Sequence, residues 1–159
     1  MNRKPFETNY AGAIYGLILS MSVISALSKD DGLGPALIAV WTTITAIVFW
    51  VAHVYSQIVA AGFARPKEAR DLVRSTMSRE WPLVQGSLIP AAALLLAPLG
   101  LIEDDNASYF AVWVGVAALF LAGLAIGTRE QLSWGRRITI GLINAAIGSL
   151  IVALKIFVH

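Results

Sequence analysis

The chain has 159 residues, 57% of them hydrophobic and only 14% charged, with a mean hydropathy of +0.71. A water-soluble domain carries about a quarter of its residues as charges, so this composition excludes one and points to a single domain held in a membrane. The pI near 9.2 reflects an excess of only +2, so where the charges sit matters more than their sum; with no cysteine there is no disulfide, thiol chemistry or thiolate-bound metal.

The charges cut the chain into apolar blocks near the ~20 residues that cross a ~30 Å hydrocarbon core. The expectation is an all-α polytopic membrane protein with five transmembrane helices, over 11–28, 36–60, 83–102, 108–127 and 138–158, forming one domain across 1–159. The first helix is short and carries Ser20, Ser22, Ser25 and Ser28. Arg3 and Lys4 ahead of it would suit a signal peptide, but the apolar stretch offers no convincing cleavage site.

The second helix bears a stripe at three- and four-residue steps: Thr42, Thr45, Phe49, His53 and Gln57, polar except for Phe49. His53 is the residue of the spans whose side-chain type switches charge near neutral pH. At 1.5 Å per residue it lies ~7 Å to the cytoplasmic side of the helix centre near Val48. The same arithmetic puts Tyr15 of the first helix and Asn144 of the fifth at that level, and Trp50 also falls deep in the second helix. Intramembrane polar groups usually face a bundle interior or a wet cavity. His53, Tyr15, Asn144, Gln57, Thr45 and Trp50 are therefore candidates for a transport path, and a neutral His53 hydrogen-bonded to Tyr15 or Asn144 is the structural alternative.

Between the second and third helices, residues 64–81 read as an amphipathic helix, with Leu72, Val73 and Met77 on one face and charged residues over the rest. Arg65, Lys67, Arg70, Arg74 and Arg79 would meet anionic headgroups or a protein partner. Pro82 suits a first helical turn, and Pro90 and Pro98 should bend the third helix. Small residues at four-residue spacing (Gly12, Gly16 and Ser20; Gly123 and Gly127; Gly141, Ala145 and Ser149) let helix backbones approach, within the chain or in a dimer.

With the N-terminus cytoplasmic and the C-terminus outside, ten of the twelve basic residues lie inside, leaving Lys29 and Lys155; Asp30, Asp31, Glu103, Asp104 and Asp105 fall in outside loops. That is a strong positive-inside pattern, expected of a bacterial cytoplasmic membrane. No enzyme constellation is present. The spans hold no carboxylate pair and no second histidine for a metal or haem, His159 lies at the opposite face, and no glycine-rich phosphate loop occurs. No cofactor is expected.

Gly12-Ala13-Ile14-Tyr15-Gly16-Leu17 resembles the first-helix Gly-Ala-Asn-Asp-Gly-Leu of the vacuolar iron transporter family, and Val54-Tyr55-Ser56-Gln57 resembles the end of that family's second-helix motif. Five helices with a cytoplasmic segment after the second have the same layout. The resemblance implies a homodimeric transporter with its path between protomers, helices 1 and 2 lining it. The departures bear on the cargo: Tyr15 stands at the family's transport Asp, Trp50 at its second-helix Glu, and His53 at a Ser. Hard divalent cations favour carboxylate oxygens, and with none in the spans the resemblance implies a divergent member carrying protons, another ion or a small solute. A membrane scaffold that binds lipid or a partner through 64–81 is the other reading.

Overall fold

A computed structural model describes residues 10–30, 32–61 and 66–157. Arg3, Lys4, Asp31, Arg65 and His159 lie outside the described residues, as do the side chains of Lys67 and Lys155. Six helices follow one another: α1 (Tyr10–Leu27), α2 (Pro35–Ala61), α3 (Pro66–Glu80), α4 (Pro82–Leu94), α5 (Asp104–Arg129) and α6 (Trp134–Phe157), with no strand among the described residues. Four are long and apolar enough to cross a membrane: α1, α2, α5 and Trp134–Leu154 of α6.

The third apolar block is where length departs from expectation. Its α-helix ends at Leu94 after 13 residues. Beyond it, the amides of Leu95, Leu96 and Ala97 reach back three residues rather than four, to Ala92, Ala93 and Leu94. Pro98 then supplies no N–H to continue a ladder. Gly100, at φ 74°, closes the segment: its amide bonds Ala97 O at 2.8 Å and that of Leu101 bonds Leu96 O at 3.0 Å. This is the paired 5→2 and 6→1 arrangement of a Schellman cap, which favours glycine at the left-handed residue. α5 closes in the same way at Gln131, φ 53°, with Leu132 N on Gly127 O at 3.0 Å. α5 and α6 each begin four residues before their expected starts, since a helix need not stop where its apolar stretch does.

α4 is the central post, packed on α1, α2 and α5, while α6 packs chiefly on α5 and α2 borders α1 and α3. The crossing of α1 and α4 is close because both partners present glycine: a Cβ on Gly16 would collide with the Leu83 carbonyl, and one on Gly86 with the Ala13 carbonyl. Ser87, fully buried, donates its hydroxyl to Gly16 O at 2.9 Å and Leu83 O at 3.0 Å across that contact. Gly123 faces Gly141 in the α5–α6 seam. Gly16 of α1, Gly123 and Gly127 of α5 and Gly141 of α6 therefore serve packing inside the chain. Leu17, Met21, Ile24, Leu94, Val112 and Leu119 fill the space between α1, α4 and α5.

Charge separates along this bundle. The guanidinium of Arg129, at the end of α5, sits 5.8 Å from the Tyr10 ring at the start of α1, so those two ends coincide, with Arg136 and Arg137 opening α6 beside them. At the other end Asp30, Asp104 and Asp105 line one recess of about 510 Å³ with Ser28 and Tyr109.

Candidate functional site

α3 does not stand clear of the bundle; it returns along α2 and ends beside the middle of that helix. The face it buries is Leu72, Val73, Thr76 and Glu80, with Thr76 and Glu80 nearly inaccessible. These follow helical three- and four-residue steps. Met77, expected on the apolar face, is exposed instead, and its carbonyl accepts the Trp50 indole N–H at 3.3 Å. Trp50 meets Trp81 edge to face, ring centroids 5.2 Å apart at 82°. Two aromatic residues 31 positions apart thus pin the junction of α3 and α4 to α2, a geometry favoured by the ring quadrupoles.

Glu80 is the residue that sequence reasoning missed. Its side chain is 5% exposed, and its Oε2 lies 3.4 Å from Nε2 of His53, whose side chain keeps 41% exposure. Arg79 Nε donates to Oε1 at 3.0 Å, leaving Oε2 turned to the imidazole. A buried carboxylate is tolerated only when cations and donors compensate its lost hydration. The pair spans 27 residues of sequence, so no local pattern marks it. The available signal was Glu80 itself, a lone carboxylate continuing the Leu72–Thr76 step and standing directly before Trp81-Pro82. The carboxylate absent from the apolar spans is brought to His53 from outside them.

The other expected path residues are dispersed. Tyr15 is half exposed and packs on Phe49, centroids 6.4 Å apart, one turn before His53. Thr45 turns its hydroxyl onto Trp41 O at 2.8 Å, and Gln57, one turn beyond His53, is exposed. Asn144 belongs to another seam: a Cβ on Gly123 would sit 2.8 Å from its Nδ2, which is buried and has no hydrogen-bond partner. Tyr15, Phe49 and His53 thus share one flank of α1 and α2, and Asn144 lies between α5 and α6. The hydrogen-bonded alternative, His53 with Tyr15 or Asn144, gives way to Glu80.

Of the basic residues of α3, Arg79 is engaged by Glu80, while Arg70 and Arg74 are exposed and border a groove against Trp50. Among the described residues no cluster of three or more His, Asp or Glu is arranged to hold a metal ion. No family model, curated protein or solved structure matches this chain.

Proposed function

We propose that this chain is a small membrane transporter or channel for protons, another ion or a small solute, with His53 and Glu80 as its working pair. One observation carries the reading: a carboxylate almost wholly withdrawn from the surface lies 3.4 Å from an imidazole that keeps access to it. Charged groups within a membrane are costly and gather where ions or protons move. Histidine is the side chain suited to exchanging a proton near neutral pH. On taking a proton, the imidazole forms an ion pair with Glu80. On releasing it, Glu80 keeps Arg79, so the proton can leave without stranding a buried charge.

In this reading the chain crosses the bilayer five times, N-terminus cytoplasmic, in a bacterial inner membrane. α4 contributes the third crossing. Its 13 residues span ~20 Å, and the tight turns through Gly100 add ~2 Å per residue, close to the ~30 Å of hydrocarbon. The basic end formed by Arg129, Arg136 and Arg137 then faces the cytoplasm and the acidic recess faces out, so that α3 starts on the cytoplasmic side and runs back along α2. The protein works as a homodimer, the flank bearing Tyr15, Phe49 and Ala52 meeting its copy so that His53 opens onto the space between protomers.

Flux into proteoliposomes loaded in turn with protons, Fe²⁺ and monovalent ions, over roughly pH 5 to 8 where histidine changes charge, tests the proposal. The native protein is expected to carry at least one ion with a rate that changes across that range, and His53→Ala to abolish it. Flux of none, with His53→Ala altering only stability, would make the pair structural.

A further inference from the structure

A groove of about 580 Å³ runs between α2 and α3, walled by Trp50, Val73, Met77 and Trp81 and bordered by Arg70 and Arg74. Along α3 these residues recur every three or four positions, so they form one stripe. The stripe is graded: Arg70 and Arg74 lie one turn apart in the first two-thirds of α3, and Trp81 lies ~16 Å beyond the first and ~10 Å beyond the second. The Trp50 N–H is already bonded to Met77 O, so that indole offers the groove apolar surface. Among the described side chains the carboxylates of α3 do not line the groove: Glu80 is buried against His53 and Arg79, and the exposed Asp71 is not among the residues that border it. On α2, Ile47 stands one turn before Trp50 and Val51 directly after it, both exposed. The apolar part of the groove therefore opens beside the surface that α2 turns outward.

We infer that this groove binds one phospholipid with a net negative headgroup, its phosphate held by Arg70 and Arg74 and an acyl chain lying against Met77, Trp50 and Trp81. Two guanidinium groups in adjacent turns offer planar, forked donors that match phosphate oxygens. The walls are those an acyl chain favours, and the chain enters from the bilayer without crossing water. A soluble anion would use the arginines and leave the aromatic walls unused; a zwitterionic lipid would fill the walls, but its own ammonium offsets most of what its phosphate gains from the arginines. The site stands independently of the proton pair, since it requires only that α3 meets the membrane.

The test uses the full chain with Trp41, Trp113 and Trp134 changed to Phe, so that Trp50 and Trp81 report alone. In phosphatidylcholine nanodiscs holding one protein each, a tenth of the lipid is replaced by brominated phosphatidylglycerol or, separately, brominated phosphatidylcholine. The anionic lipid is expected to quench far more strongly, by an apparent affinity advantage of roughly 30-fold if each arginine contributes ~5-fold at the surface. Arg70→Gln with Arg74→Gln should erase the preference while quenching by the zwitterionic lipid stays. Arg136→Gln, exposed at the start of α6, should leave it intact. Equal quenching by the two lipids, or equal loss in the Arg136 variant, would overturn the site. So would displacement by millimolar inorganic phosphate, or disappearance of the preference in discs holding two copies, which would assign the groove to a soluble anion or a second protomer.

Discussion

At Glu80, a carboxylate 5% exposed is held between an imidazole and a guanidinium, and the two partners are unequal in consequence. Arg79 is more than half exposed, so its loss is softened by solvent. His53 approaches from the helix against which α3 packs. Removing it in His53→Ala takes away both a polar partner of Glu80 and part of the α2–α3 contact, an expected loss of about 1–2 kcal/mol, read by unfolding in detergent micelles. Glu80→Gln keeps the volume and removes the need for a cation, so its effect on stability should be smaller than that of His53→Ala. A second residue-scale expectation concerns Ser87, whose hydroxyl bridges two helices through carbonyls of Gly16 and Leu83. Ser87→Ala should cost about 1 kcal/mol. His53 was legible in the sequence because an ionisable group in an apolar stretch stands out by type. Its partner was not, because the carboxylate comes from a segment whose other charges are solvated, and only folding distinguishes Glu80 from Asp71.

For the elements, the close crossing of α1 on α4 makes shape decisive. Gly16→Val would push a side chain into the Leu83 carbonyl, and backbone cannot move aside as a flexible side chain does. A loss of about 3 kcal/mol is expected, at the upper end of overpacking effects, visible as a lowered melting temperature in micelles. The two Schellman caps give opposite expectations. Gly100→Ala, at φ 74°, should destabilise by about 1 kcal/mol. Gln131→Gly, at φ 53°, should stabilise by about 0.5–1 kcal/mol, since a left-handed residue with a Cβ is held there at a cost. Helix existence was plain in the sequence because its apolar runs exceed what a soluble core needs: five were expected to span, and four helices are long and apolar enough to do so. The early end of α4 was harder to see. Pro90 and Pro98 signalled a bend, but no residue type marks the switch to three-residue hydrogen bonding after Leu94, where Leu94 and Ala97 belong to the buried core. Likewise α3 was recognisable as helical with an apolar side, yet which side packs was decided by Thr76 and Glu80 rather than Met77.

For the whole molecule, the separation of basic and acidic ends was legible from loop composition alone, because short connections between helices leave charges nowhere else to go. The packing of α6 on α5 rather than α2 was not, and it separates Asn144 from His53. A dimer through α1 and α2 makes a direct expectation in a chain without cysteine. Ala52→Cys, exposed on that flank, should form a disulfide-linked dimer when native membranes are treated with copper–phenanthroline as the oxidant, and Leu150→Cys, exposed on α6, should not. The central claim, that His53 and Glu80 act together on a moving proton, is tested most directly by proton flux in dye-loaded proteoliposomes for the native chain, His53→Ala, Glu80→Gln and the double variant. The expected result is a strong loss in each single variant and no further loss in the double, with correctly folded protein throughout. Flux unchanged in both single variants, or losses that simply multiply in the double, would contradict a shared step at this pair.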